Sequence, residues 1–360
     1  MKTLVILPNW VGDTVMAQPV LASLAASGRE IHGLARTNLI PLLRLIPQLA
    51  SSMSRGASNR ETIEKIKQLG PDEVVILPNS FRAAWLAQRA GIPRRWGYSG
   101  DFRHPLLRPA VAKPRQPKKR KSSHDNRLPS QYHQLNDYDP LLTAMRIDPV
   151  GDNTPRLEPG KENRLAARQA LAASGLAQHG DLVGLFAGTA FGPSKRWPPD
   201  RFAELARRLA ATDKGPDPVL IVGPGETELA RSIADASGLD LPILGAGLDL
   251  AVLAAVLERL SLLVTNDSGP MHLAAAVGTR CVAIFGPTDP RRTAPLGDVS
   301  NVGDVGDVGE SATVGAGHEV LWTSRWCSPC FRRRCPLLHH KCLRDIRVED
   351  VLRSSGYSNS

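Results

Sequence analysis

Short, almost continuously apolar runs punctuate the chain, and most are followed by a stretch with helical periodicity. In the first part, Leu4-Val5-Ile6-Leu7 predicts a strand with a helix over residues 15–26 behind it. Val74-Val75-Ile76-Leu77 predicts another, with a helix over residues 82–89. In the second part, strands are predicted at residues 182–186, 219–222 and 262–264, followed in turn by helices over 200–210, 226–236 and 269–277. Cys281 to Phe285 adds a further strand. Strands apolar on both sides and alternating with helices belong to a parallel sheet covered on both faces. Two such series in 360 residues predict an α/β chain with two doubly wound domains.

Between the series the pattern lapses. Residues 113–127 read KPRQPKKRKSSHDNR, without apolar periodicity, and are expected to form an exposed basic loop. The domain boundary is placed later, near residues 155–161, giving domains 1–158 and 159–360. A second irregular stretch, NVGDVGDVGE at 301–310, repeats a Gly-Asp-Val unit too briefly for a solenoid and reads as a surface loop.

Composition narrows the class. Hydrophobic residues make up 42% of the chain, enough for real cores, yet no apolar run reaches the length of a membrane span. The apolar stretch after Lys2 is broken by Pro8 and lacks a small-residue cleavage site, so a buried strand and a cytoplasmic location are expected rather than a signal peptide. The net charge of +10, from 45 Lys+Arg against 35 Asp+Glu, favours anionic partners without choosing among them. Aromatic residues are only 5% of the chain and the basic run 113–121 holds none, which speaks against a nucleic-acid reader built on stacking.

Three loops carry candidate chemistry. The first strand runs into Asn9-Trp10-Val11-Gly12-Asp13-Thr14, placing Asp13 at the C-terminal edge of a parallel sheet, where such folds bind ligands. Asp13 could equally be a helix N-cap, and the absence of G-x-G-x-x-G counts against a dehydrogenase. The second loop, Gly188 to Pro198, is rich in small residues and carries Lys195; it suits phosphate but lacks P-loop spacing, and a solvated surface lysine is the alternative. The third runs Thr265-Asn266-Asp267-Ser268-Gly269-Pro270-Met271-His272. Proline is tolerated in a first helical turn, and the Ser268 and Gly269 amides at a positive helix end suit a diphosphate, with His272 one turn in. The alternative makes Asp267 or Ser268 a cap and His272 a packed core residue.

These motifs resemble those of the lipopolysaccharide heptosyltransferases, glycosyltransferase family 9. The likeness rests on Trp10-Val11-Gly12-Asp13, residues 192–198, residues 265–272 and Val282-Ala283-Ile284-Phe285-Gly286-Pro287-Thr288. Ile76-Leu77-Pro78-Asn79-Ser80-Phe81-Arg82 and Ala90-Gly91-Ile92-Pro93 are most similar to the heptosyltransferase II subgroup. The resemblance implies a GT-B fold of two Rossmann-like domains facing across a cleft, the acceptor on the N-terminal domain and the donor on the C-terminal one. It implies inverting transfer of heptose from ADP-L-glycero-D-manno-heptose to the first heptose of the lipid A–Kdo–heptose acceptor, in the cytoplasm at the inner face of the inner membrane. On it, Asp13 is the general base, and Lys195 with the Ser268 and Gly269 amides receives the departing diphosphate. His272 and Asp267 are further donor contacts, and Glu226 binds the adenosine ribose. No metal is assigned to the donor site and no cofactor is implied. Thr189 departs from the residue that the second-heptose enzymes tend to carry. A transferase of the same fold using another nucleotide sugar, or adding a different core heptose, is the alternative enzyme.

Five cysteines are too few for a disulfide scaffold. Four of them gather as Cys327-x-x-Cys330, Cys335 and Cys342, near His339 and His340. Four thiolates could hold a structural zinc, but only the first pair has zinc-ribbon spacing. The sequence leaves open what they bind.

Overall fold

The predicted strands form the centres of two separate sheets. A computed structural model describes residues 1–113, 133–177, 180–212, 215–296, 311–314, 317–323 and 325–357. The basic loop beyond Lys113 and the Gly-Asp-Val repeat lie outside the described residues. Two compact units emerge, one from residues 1–113 and 134–158, the other from residue 133 and residues 159 onward.

In the first unit, β1 (Lys2–Ile6), β2 (Glu30–Ala35), β3 (Leu49–Ser54), β4 (Glu73–Ile76), β5 (Arg94–Tyr98) and β6 (Ala110–Val111) make one sheet. Its order is β3-β2-β1-β4-β5-β6 and every pairing is parallel. This is the doubly wound Rossmann order, whose connections diverge between the first and fourth strands. The second unit repeats the plan with β7 (Leu182–Phe186), β8 (Asp217–Ile221), β9 (Ile243–Leu244), β10 (Leu262–Asn266), β11 (Arg280–Phe285), β12 (Ser311–Val314) and β13 (His318–Trp322). The order β13-β11-β10-β7-β8-β9 is again a six-stranded Rossmann sheet, and β12 adds an antiparallel edge to β13. Leu4, Val5, Val74, Val75, Leu263 and Val264 are fully buried, as strands covered on both faces require.

Strands without an apolar run were invisible to the pattern. In β2, EIHGLA, His32 is nonetheless buried and pairs with Ser51 Oγ at 2.8 Å. Gly33 in the same strand makes room for Leu43, whose Cδ1 would stand 3.1 Å from a Cβ there. In β5, RRWGY, the buried Arg95 guanidinium is satisfied by the carbonyls of Leu106 and Ile92. The helix predicted over residues 15–26 begins earlier and is divided: Val11–Met16, then Gln18–Ala26, with Pro19 in the first turn of the second piece.

Candidate active site

At the switch point of the first sheet, the chain leaves β1 through Leu7-Pro8-Asn9-Trp10 and enters the helix Val11–Met16. The N-cap is Trp10, and no side chain caps this helix. Asp13 sits in the first turn without capping it, which removes the reading of that carboxylate as an N-cap. Its Oδ1 instead accepts a hydrogen bond from Gln134 Nε2 at 3.0 Å. Asp13 lines a cavity of ≈ 310 Å³ together with Trp10, the β4 loop residues Asn79 and Ser80, and Lys113, Gln134 and Tyr138. The β4 loop is braced from beneath by buried Arg103, which donates to Pro78 O at 2.8 Å and Asn79 Oδ1 at 2.5 Å. Burial, and after it the negative charge of Asp13, pushes the Tyr138 phenol up, so it stays a neutral hydroxyl at the wall.

At the switch point of the second sheet, four loops converge at the ends of β7, β8, β10 and β11. The β7 loop is anchored by Trp197, which is fully buried, stacks edge-on against Phe202 at 5.0 Å, and donates from Nε1 to Ile346 O at 2.9 Å. Its backbone N–H also donates to Asn266 Oδ1 at 3.0 Å, tying the β7 and β10 loops together. Two residues before this anchor, Lys195 Nζ reaches Asp267 Oδ2 at 2.5 Å, with the Lys195 and Asp267 side chains only 13% and 5% exposed. Thr288 Oγ1, from the β11 loop, donates to the same oxygen at 2.6 Å. Lys195 is therefore a held, half-sheltered cation and not a solvated one, and its ammonium also lies 4.9 Å from the Phe191 ring centroid.

The helix Gly269–Ala276 follows at once. Its N-cap is Ser268, and no side-chain oxygen caps it. Ser268 Oγ lies instead 3.3 Å from Thr265 Oγ1, and Asp267 is spent on Lys195 and Thr288. Ser268 thus holds the N-cap position, as the alternative reading allowed, but without a side-chain bond to the first-turn amides, and Asp267 does not cap. The first-turn amides keep their partial positive charge at a helix end, a ready position for a phosphate. His272, one turn in, is buried, and desolvation holds its pKa down to about 4, with Lys195 lowering it further and Asp267 opposing. It offers a neutral imidazole and no cationic charge near neutral pH.

Glu226 stands at the N-cap position of the helix Thr227–Ser237, yet its carboxylate does not cap. Oε2 accepts from Gly223 N at 2.9 Å, and the carboxylate lies directly over Gly188, where an added Cβ would come within 2.1 Å of it. The acid is thus presented between the ends of the first two strands of its sheet, where Rossmann folds place the carboxylate that receives a ribose diol. Thr189 is buried and its hydroxyl accepts from Phe191 N at 3.3 Å.

The structure brings Lys195, Asp267, Ser268, Gly269 and His272 into one cluster, with Glu226 over the neighbouring loop. Asp13 belongs to the other unit's cavity. Thr288, Gln134, Tyr138 and Arg103 were missed by sequence reasoning; Thr288 lay within a quoted motif, whereas Gln134 is 121 residues from the aspartate it contacts.

Comparison with known proteins follows the same lines. Residues 60–341 match glycosyltransferase family 9 (heptosyltransferase). Lipopolysaccharide heptosyltransferase 2 of Escherichia coli K12 is 29% identical over 318 residues, 84% of this chain and 87% of that protein. Lipooligosaccharide heptosyltransferase 2 of Haemophilus influenzae is 27% identical over 321 residues, covering 84% and 88%. Among solved structures, E. coli ADP-heptose LPS heptosyltransferase II superposes with a TM-score of 0.76 at 25% identity, covering 99% of this chain and 98% of that one. With a family match over most of its length, a GT-B-type pair of Rossmann-like domains and these loops at both switch points, the chain belongs to glycosyltransferase family 9, the heptosyltransferases.

Proposed function

We propose that this glycosyltransferase moves heptose from ADP-L-glycero-D-manno-heptose to the first heptose of a lipopolysaccharide inner core, with inversion at the anomeric carbon. The N-terminal domain, residues 1–158, takes the acceptor, and the C-terminal domain, residues 159–360, takes the donor. The observation that carries the reading is Asp13: a carboxylate at a sheet switch point, lining a cavity and capping nothing. The kinship with heptosyltransferase 2 proteins supplies the sugar.

In the reaction, Asp13 takes the proton of an acceptor heptose hydroxyl, and the oxygen's electron pair forms the new bond to the anomeric carbon. The bond from that carbon to the ADP oxygen breaks, and both its electrons leave with ADP. Lys195 and the Ser268 and Gly269 amides stabilise the charge that gathers on the diphosphate. Glu226 accepts from the adenosine ribose hydroxyls. Asp267 and Thr288 hold Lys195 in place, and neutral His272 contacts the donor through a ring nitrogen. No side chain outside this set is needed to balance protons or electrons.

Among the described residues no helix is long and apolar enough to cross a membrane. The excess of 45 basic over 35 acidic side chains suits peripheral contact with the anionic inner face of the inner membrane, where the acceptor lipid resides. Salt-sensitive sedimentation with anionic vesicles tests that contact. The function itself is tested by an in vitro assay with ADP-heptose and lipopolysaccharides truncated to zero, one or two heptoses. Transfer to the acceptor bearing one heptose is expected; transfer only from a UDP-sugar, or only to the heptose-free acceptor, overturns the reading.

A further inference from the structure

Away from both proposed sites, the densest set of reactive side chains lies in the segment after β13. Cys327, Cys330, Cys335 and Cys342 are all free thiols. Together with His339 and His340 they line one small cavity, closed on its other side by Ser194 and Pro287. Four cysteines from a 16-residue stretch thus line one space.

Hydrogen bonding fixes the role of the nearest imidazole. The backbone N–H of Lys341 donates to His339 Nδ1 at 2.9 Å, so Nδ1 accepts and the neutral ring carries its proton on Nε2. That nitrogen lies 3.9 Å from Cys327 Sγ. A protonated Nε2 cannot ligate a metal, but it can donate to a thiolate, as outer-shell groups of metal sites do. His340 is the other nitrogen candidate, since its Nδ1 donates to Leu338 O at 3.2 Å and leaves Nε2 without a proton; four thiolates complete a tetrahedral shell without it.

We propose that Cys327, Cys330, Cys335 and Cys342 bind one divalent, thiolate-preferring ion as a structural tetrathiolate site, with His339 Nε2–H donating to the Cys327 sulfur. Zinc and ferrous iron share this chemistry. Binding releases four thiol protons and leaves a site of net charge −2. The local sequence is basic enough to offset that charge: Arg325, Arg332, Arg333, Arg334, Lys341 and Arg344 are interspersed with the cysteines, and Asp345 is the one acid within residues 325–345. Among the described residues no three such ligands are grouped for coordination, and the proposal requires the four sulfurs to come together when the ion binds.

The ion's place in the fold gives it a task. Ser194 donates from Oγ to Arg332 O at 2.5 Å and from its backbone N–H to Arg333 O at 3.3 Å. Phe331 N donates to Pro287 O at 2.8 Å, and Ser328 Oγ donates to Gly286 O at 2.6 Å. The cysteine segment therefore clamps the two loops that carry Lys195 and Thr288, the side chains that meet on Asp267. Gly192 lies so close to this segment that a Cβ would stand 2.7 Å from Arg333 O.

The test is elemental analysis of the full-length protein purified without chelator, followed by cobalt titration of protein stripped under reducing conditions. About one zinc or iron per chain is expected, the element naming the ion. One equivalent of Co²⁺ is expected to give the intense thiolate charge-transfer absorption of a tetrahedral sulfur site. Cys327→Ser and Cys342→Ser are expected to lose the metal and melt earlier, while Cys281→Ala, altering the buried cysteine outside the cluster, keeps it. Where a serine variant does not fold, the cobalt titration of the wild-type chain decides. Metal content equal to that of the quadruple serine variant, cobalt spectra without thiolate bands, or two disulfides in the native protein would overturn the proposal.

Discussion

The two sheets share a strand order and a switch point, but the loop after the first strand presents an acid in one and a base in the other. In the first, the loop after β1 presents Asp13, an anion steadied by the neutral amide of Gln134 at 3.0 Å. In the second, the equivalent loop after β7 presents Lys195, a cation held at 2.5 Å by an aspartate that Thr288 also binds. Backbone topology decides where a ligand sits, and a few loop side chains decide what is done to it. On the proposed mechanism Asp13 takes a proton, and the Gln134 amide that bonds it adds no charge of its own. On the same mechanism Lys195 grips a diphosphate, and its ion pair with Asp267 keeps it in place.

The largest effect should come from removing the anion. Asp13→Ala is expected to lower turnover by about 10²–10⁴-fold, the range for a positioned general base, while calorimetric affinity for ADP-heptose stays within about twofold. Wild-type turnover in this variant would show that Asp13 is not the base. Removing the cation should act on the other side of the comparison. Lys195→Ala forfeits a charge-assisted contact of about 1.5–3 kcal/mol and should weaken ADP-heptose binding by about 10–100-fold; unchanged affinity would take Lys195 out of the donor site.

Gly188→Ala should come next. Its methyl group would lie 2.1 Å from the Glu226 carboxylate, and displacing that acid from the ribose should cost several-fold in ADP affinity without changing the affinity for a nucleotide-free acceptor fragment. Equal ADP affinity in this variant would detach Glu226 from the ribose. The smallest effect is expected for Gln134→Ala. A hydrogen bond to the ionised form favours it, so losing the Gln134 donor should raise the Asp13 pKa. The acid limb of the pH–rate profile should then move towards higher pH by up to about one unit, the equivalent of a typical hydrogen bond. A profile that does not move would make the contact incidental.

Acid stability offers a further check, and its sign follows from burial. Desolvation is the main cause that holds His272 and His318 down to about 4, and His133 to about 3, all below the ordinary value near 6.5. The unfolded chain therefore binds protons that the folded chain refuses between about pH 6.5 and 4. Stability should be fully present above the upper bound and fall as pH drops through that window, read as a declining melting temperature. A melting temperature that rises on acidification there would contradict it.

How much of this was legible in sequence depended on chain distance. Val74 to Ile76 and Leu262 to Val264 announced themselves because a strand covered on both faces has no polar side to display. β3, LASSMS, lies at a sheet edge and is half exposed, so it carries no such mark. Lys195, Asp267, Ser268, Gly269 and His272 were readable because a strand, its loop and the next helix are contiguous. The competing cap readings could not be dismissed from spacing alone. Geometry removes Asp13 and Asp267 as caps, while Ser268 holds the N-cap position of its helix without a side-chain bond. Gln134 and Arg103 reach their partners across 121 and 24 residues, and no local periodicity encodes such contacts.

The division of labour between the two switch points is open to one direct measurement, hydrogen–deuterium exchange of the full chain with and without saturating ADP. The account predicts protection of the amides around residues 188–196, 223–228 and 267–273, and none around 9–14 or 77–81. Protection at 9–14 with none at 267–273 would contradict it.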